Sequence, residues 1–540
     1  MKDMKKMKKG FLVFLAIVLV VATLAGCGET ETASVDFEVT TDGTYPIDTD
    51  TTLTYWVQMH ESVAANHGSL NETVFHDELV AQTGINVEFI NPPITQVTEQ
   101  FNLLIASREF PDIIEWGWYG FTGGPHAAIE DGVILPLNSV FEKAAPNLSA
   151  YLEANEDVAK QVQTDEGEYY CFPMFRESDY LNTYYGPMFR KDLLDEAGLD
   201  VPETVDEWET ALYAFKDMGV EIPLAMQLDK SKLNMCSAFL GAYGVKGGMF
   251  VENGEVKFGP YMEEAFTPFI ERMTQWYADG LIDPDFTETT SSYVTEVGVS
   301  GKWGAIFGSC GGNFGSWIPS IQASNPDAEF VPAKYPVMNK GESPKFGQKN
   351  FIANPSGGCA AISTQCKDVE LAARLLDFGY SDDGFMLYNF GKEGESYEMI
   401  DGVPTYTDII TDTTKNDGQP MSYMIATYAR ANYFGPMIQA EGYMRQYAKL
   451  DVQKEAIEVW SENVDTDYAL PYVTLTAEEN SEYSTIMNDV NTYMEESVYK
   501  FVTGVTSLDE LPNYYAELER MGIERAIEIN QAAYERYIAR

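Results

Sequence analysis

The sequence predicts an α/β protein of two lobes, and three observations lead there. The chain has 540 residues, more than one hydrophobic core usually supports, so it is expected to divide. An apolar fraction of 45%, with 13% aromatic residues, is that of a globular chain and not of a disordered one. Between Thr52 and Trp116 the pattern reads strand, helix, strand, helix, strand. That alternation builds a parallel sheet with helices on both faces.

Taken in order, the chain starts with five lysines (Lys2, Lys5, Lys6, Lys8 and Lys9) ahead of an unbroken apolar run from Phe11 to Val21. A membrane span needs about 20 apolar residues, so this shorter run, ending in small residues, is an export signal. It closes on Leu24-Ala25-Gly26-Cys27, which closely resembles the lipobox of bacterial lipoproteins. The resemblance implies a signal peptide over 1–26, a diacylglyceryl group on the Cys27 sulfur, and anchoring on the extracytoplasmic face of the cell membrane. Two acyl chains, at roughly 0.8 kcal/mol per buried methylene, hold a protein stably where one would be marginal. The alternative is a soluble secreted protein with a chance cysteine at its cleavage site. Residues 27–50 are rich in Thr, Glu, Asp and Ser and are expected to form a flexible tether.

Thr52-Leu53-Thr54-Tyr55-Trp56-Val57 alternates and is the first strand. A helical pattern through Val74, Phe75, Leu79 and Val80 ends at Gly84, and Ile85 to Ile90 is the second strand. A second helix through Val97, Phe101, Leu104 and Ile105 leads past Pro111 to a third strand ending at Glu115-Trp116. Ligands of such sheets bind beyond the carboxyl ends of the strands. There the sequence offers Trp56, Gln58, His60 and Glu61 from the first strand, and Glu115, Trp116, Trp118 and Tyr119 from the third. Aromatic faces suit the C–H faces of sugar rings, and neighbouring amides and carboxylates suit hydroxyls.

The chain carries 35 basic and 84 acidic residues; without the leader's five lysines and Asp3 the balance is −53. Such a charge argues against nucleic acid, anionic membrane surfaces and polyanionic ligands. Apart from Cys27 there are five cysteines, an odd number with no C-x-x-C spacing, so no disulfide framework or zinc motif is implied. Cys359 and Cys366 either pair or remain free thiols. Four histidines form no H-E-x-x-H, and neither G-x-S-x-G nor a phosphate loop is present. No enzyme is expected.

Longer blocks carry a family resemblance. Ile129-Glu130-Asp131-Gly132-Val133-Ile134-Leu135-Pro136-Leu137, Glu166-Gly167-Glu168-Tyr169-Tyr170-Cys171-Phe172-Pro173 and Met188-Phe189-Arg190-Lys191-Asp192-Leu193-Leu194 follow one another in order. Pro202 to Trp208, Tyr277 to Phe286, Ser300 to Ala305, Phe390 to Tyr397 and the helix from Gly522 to Tyr534 continue the series. Together they resemble extracellular solute-binding proteins of carbohydrate ABC importers, in the LplA-like lipoprotein branch, over essentially the whole chain. The resemblance implies a two-lobe, periplasmic-binding-protein-like (type II) fold with a hinge between the lobes. Lobe 1 would take 51–180 and 350–430, and lobe 2 would take 181–349 and 431–540. It further implies a monomer that captures an oligosaccharide and delivers it to the transmembrane permease subunits.

Across the cleft lobe 2 would present Gly311 to Trp317, with Asn313, Phe314 and Trp317 toward the ligand and glycines that let backbone approach it. Arg190, where the chain enters lobe 2, would donate to a hydroxyl pair or a carboxylate, or else form a structural ion pair. Members of the branch often carry a calcium-spaced loop after the helix corresponding to Leu212–Lys216. Here Lys216 to Pro223 lacks that pattern, so neither a metal nor a cofactor is expected. The competing readings are the same fold binding a peptide or another small solute, and a surface-anchored glycoside hydrolase, which needs two carboxylates across the cleft. Pro202 to Trp208 also has a local meaning: Thr204 and Glu207 make a helix-starting capping box.

Overall fold

The computed structural model describes residues 35–226, 234–288, 290–355 and 357–540. The signal segment and Cys27 lie outside the described residues. Strands β1 (Thr52–Trp56), β2 (Asn86–Ile90) and β3 (Ile113–Trp116) are parallel, with β1 between the other two. The register sets Tyr55 opposite both Phe89 and Ile113. Strand Cys359–Ile362 joins the open edge of β3 antiparallel, Cys359 opposite Trp116, so the late glycine-rich stretch returns the chain to this sheet. The helices between the strands carry local signals. Helix Val74–Thr83 starts where Thr73 accepts from the His76 N–H, at 3.3 Å, and ends at Gly84 with φ of 71°. A side chain at Gly84 would meet the Ile47 carbonyl at 2.2 Å, so glycine is required twice over there.

A second sheet runs in the order Phe330–Pro332, Tyr185–Arg190, Trp303–Ser309, Ile222–Ala225. Its last two strands are parallel to each other, and Tyr185–Arg190 runs against Trp303–Ser309 with Tyr185 opposite Ser309. The capping box forms as the sequence implies: Glu207 N donates to Thr204 Oγ1 at 3.2 Å, and Thr204 N donates to Glu207 Oε2 at 3.1 Å. The segment after that helix is a turn closed by Gly219, at φ of 82°, leading into strand Ile222–Ala225.

Each sheet has its own core. One large cluster joins Met188, Trp208, Trp276 and Trp303 to Trp460, Val498 and Leu518. Separate clusters hold Leu53, Phe89 and Leu376, then Trp56 and Trp118, then Phe390 and Tyr443. Between the two bodies a short sheet pairs Met174–Arg176 with Ala353–Asn354 and with Met437–Gln439. The chain crosses from it: Arg176 N donates to Ile352 O at 2.9 Å, Glu177 N to Gln439 O at 3.0 Å, and Asn350 N to Asn182 O at 2.8 Å.

Two expected boundaries are corrected by this packing. Residues 431–443 stay with the first body, since Met437–Gln439 belongs to the crossing sheet and Tyr443 packs with Phe390 and Tyr406, so the last crossing lies beyond 430. Residues 35–50 are not a free tether. Glu370 accepts from Thr40 N and Oγ1, at 2.6 and 2.9 Å, and from Thr41 N and Oγ1, at 3.1 and 2.6 Å. Burial works to raise the Glu370 pKa, yet these donors outweigh it and hold the carboxyl below its ordinary value. Ile47 is buried in the first core and Tyr45 donates to Arg374 O at 2.6 Å. Polar composition concealed this docking because the partners come from a helix more than three hundred residues away, Val369–Asp377.

Candidate ligand site

Past the end of β1 the backbone continues with Val57 N on Ile90 O at 3.1 Å and then turns out of the sheet. His60 caps the short helix Glu61–Ala64, its Nδ1 accepting from Ser62 N at 3.1 Å, and meets Tyr433 edge to face at 5.5 Å. Burial lowers the His60 pKa, which keeps the imidazole neutral and able to donate and accept. Gln58, His60 and Tyr433 share a small recess with Leu70, Ala426, Ala429 and Arg430.

Beneath it lies a buried ion pair. Arg430 grips Glu115 in two-pronged fashion at 2.8 and 3.0 Å, and Tyr55 donates to the same carboxylate at 2.6 Å. Burial opposes the charge on Arg430, but the Glu115 carboxylate outweighs it and raises the guanidinium's pKa. Their charges cancel, so the floor of the recess is polar without being charged. Gly358 lies beside it at φ of 92°, a backbone conformation that favours glycine.

The residues expected at the site fall into three groups. Trp116 is partly open, with one face stacked on Phe101 at 4.1 Å and 10°, while its indole N–H is buried without an acceptor in the protein. Trp56 supports it from below, edge on at 6.0 Å, and Glu61 is exposed on the adjoining short helix. Tyr119 is half-buried and spans the two bodies, donating to Tyr472 O at 2.9 Å with the rings 5.6 Å apart. Glu115 is present but bound to Arg430.

Three positions require correction because protein atoms cover them, and a fourth, Asn313, is half-buried with its carbonyl oxygen already engaged. Trp118 is fully buried and donates to Cys359 O at 3.0 Å, as the turn Trp118–Gly120 folds its indole under the sheet. Phe314 and Trp317 are likewise core, 5.5 Å apart, with Phe314 6.0 Å from Trp460. The glycines near them make room for rings: a side chain at Gly298 would lie 2.2 Å from Trp317, and one at Gly311 would lie 2.3 Å from Tyr447. Asn313 closes its own turn, its Oδ1 accepting from Ser309 N and Oγ, both at 2.8 Å.

Arg190 is buried with Nε on Asp192 at 2.8 Å and NH1 on Gly301 O at 2.7 Å. It ends a strand whose first residue, Tyr185, lies by Ser309 at the carboxyl end of the parallel pair. At about 3.3 Å per residue that places Arg190 about 16 Å away, at the opposite end of the sheet. The sequence reading missed Arg430, Tyr433 and Phe434 as site residues. The signal available was an aromatic pair beside Gly435, but nothing local ties it to β1.

Cys171, Cys310, Cys359 and Cys366 are free, so the pairing of Cys359 with Cys366 is not formed. Among the described residues one set of side chains could hold a metal: His126, Glu166 and Glu168, outside the recess, with donor atoms within 4.8 Å of one another.

Residues 70–384 match the family described as bacterial extracellular solute-binding protein. The chain belongs to that family. Its members bind solutes outside the cytoplasm and are not enzymes. Among curated relatives, the fructooligosaccharide ABC transporter substrate-binding protein FusA of Streptococcus pneumoniae is 24% identical over 96% of each chain. Lipoprotein LipO of Bacillus subtilis is 28% identical over 60% of this chain and 64% of its own. Among solved structures, an HMO-binding, ABC-transporter-associated solute-binding protein from Bifidobacterium longum infantis superposes with a TM-score of 0.74 at 20% identity, covering 91% of this chain and 99% of that one. Alginate-binding protein AlgQ2 does so at 0.71 and 21%, covering 90% and 99%. These likenesses establish the two-lobe fold of solute-binding proteins.

Proposed function

We propose that this solute-binding protein captures an oligosaccharide between its lobes and hands it to the permease of an ABC importer, while held to the membrane by lipid on Cys27. The observation that carries the reading is the FusA match, which spans 96% of both chains and so includes both lobes. A FusA structure in complex with kestose, with a TM-score of 0.69, supports a saccharide. The site supports it too: the Trp116 ring is partly open, and Gln58, His60 and Tyr433 offer neutral donors and acceptors. The bodies built around the two sheets act as the lobes, with the chain crossing near 177–184, 348–352 and after Tyr443. The protein acts as a monomer.

Calorimetric titration of Cys27→Ala protein, which lacks the anchor, against fructo-, gluco- and milk-type oligosaccharides and a peptide mixture tests the ligand. Saturable binding to one glycan class without product formation is expected. Binding to peptides alone would turn the assignment to a peptide-binding protein of the same fold. The anchor is read separately by fatty-acid labelling in a lipoprotein-processing bacterium. Label should enter the parent chain and be absent from Cys27→Ala, and persistence in the variant would refute the anchor.

A further inference from the structure

His126, Glu166 and Glu168 come from segments that the sequence keeps apart, and a rigid turn brings them together. His126 lies on helix Gly124–Glu130, which places Glu130 four residues on and on the same face. The loop 164–168 closes on itself: Gly167 N donates to Thr164 O and Thr164 N to Glu168 O, both at 3.0 Å, with Gly167 at φ of 77°. Asn138 pins it from outside, its Nδ2 donating to Gly167 O at 2.9 Å. The turn thereby aims Glu166 and Glu168 at one imidazole before anything binds.

His126 Nδ1 stands 2.9 Å from Glu168 Oε2 and 3.2 Å from Glu166 Oε2, and Nε2 stands 3.7 Å from Glu130. One N–H cannot satisfy two carboxylates at once, and one imidazolium cannot neutralise three. Among the described residues neither lysine nor arginine pairs with any of the three glutamates. We propose that His126, Glu166 and Glu168 form a zinc-binding site.

The spacing fits that ion. Tetrahedral zinc with bonds of about 2.0–2.2 Å sets its donor atoms about 3.3–3.6 Å apart, and the structure holds Nδ1 at 2.9 and 3.2 Å from its two oxygens, so a small outward shift of each carboxylate admits the ion. Imidazole with carboxylates suits zinc, whereas calcium takes six to eight oxygens, more than this set supplies. Zinc takes the place of the Nδ1 proton, which leaves to solvent. Glu168 is buried while Glu166 is exposed, so the ion has an anchor inside, access from outside and a fourth position for water.

The other side of the loop carries the contact between the bodies. Asp165 accepts from Arg536 at 2.6 Å, and the carbonyls of Gln163 and Thr164 accept from Arg540 at 2.6 and 2.8 Å. Zinc at this place stiffens the surface on which the chain's last helix, Ile523–Ala539, is docked.

The test is calorimetric titration of chelator-treated, dialysed protein with zinc chloride, with calcium and manganese chloride as separate arms. One zinc per chain is expected, and His126→Ala, Glu168→Gln and Glu166→Gln should each weaken it by roughly 10- to 100-fold or more. Zinc should also raise the melting temperature of the parent but not of His126→Ala. Cobalt(II), used as a spectroscopic stand-in, should give a visible absorption band that these variants lose. Should the buried positions fail to fold once changed, exposed Glu166→Gln still decides the matter. Absence of saturable binding at millimolar zinc, unchanged affinity in Glu166→Gln, or preference for calcium or manganese would overturn the assignment.

Discussion

The turn after β3 and the loop after strand Trp303–Ser309 look alike in sequence, since both set large aromatics among glycines at the carboxyl end of a strand. The structure uses them in opposite ways. After β3 one indole, Trp116, stays partly open with its N–H unpaired, while the next, Trp118, drops into the core onto Cys359 O. In the second lobe both rings go down, and Gly298 and Gly308 leave room for the Trp317 indole against the backbone. Glycine beside an aromatic therefore has two physical meanings. It allows backbone to approach a ligand, or it allows a core ring to approach backbone. Only the identity of the nearest atoms separates the two.

Unfolding measurements probe that contrast most strongly at Trp317. Trp317→Ala should cost about 3–5 kcal/mol of stability by denaturant titration, because it empties a ring-sized space in the larger core. A loss below about 1 kcal/mol would break the comparison. Next in size, Gly298→Ala forces a methyl to within 2.2 Å of the Trp317 ring and should cost about 1–3 kcal/mol. Its counterpart in the first lobe, Gly120→Ala, meets nothing within 4 Å and should change stability by no more than about 0.5 kcal/mol. Equal losses at the two glycines would erase the distinction drawn here.

Binding is the complementary readout. Trp116→Ala should weaken the cognate oligosaccharide by about 1–3 kcal/mol, roughly 5- to 150-fold, in calorimetry. Trp317→Ala, measured on its folded fraction, should bind as the parent does. A Trp116 variant within about twofold of the parent, ~0.4 kcal/mol, would move the platform elsewhere. A loss independent of both ring sets is expected at Thr204→Ala, about 1 kcal/mol, since it removes one capping bond at a helix end. An unchanged unfolding midpoint there would show that Glu207 alone holds the helix start.

Local signals were legible wherever the partner is near in sequence. Gly84 and the Thr204–Glu207 box cap helices through bonds spanning a few residues, so a short window contains the whole cause. The tail shows the same rule: Tyr514 and Leu518 are buried on a helical period, and Gly522, at φ of 95°, divides it into helices Leu511–Met521 and Ile523–Ala539. The failures share an opposite cause. Arg190 took Gly301 as a partner, Trp118 took Cys359, residues 35–50 took Glu370, and Glu115 took Arg430. In each case the deciding atom lies more than one hundred residues away.

The sequence by itself determined the strand and helix alternation of the first sheet, the need for more than one core, the capped helix starts, and the order of motifs that marks a solute-binding protein. These follow from periodicity, capping and short-range turns, which the backbone resolves within a few residues. Tertiary structure alone decided which aromatics remain open, that Arg430 neutralises Glu115 beneath the recess, where the last crossing between the lobes falls, and that His126 faces two glutamates. Burial and charge pairing depend on surfaces meeting in space, and chain order does not specify which surfaces meet.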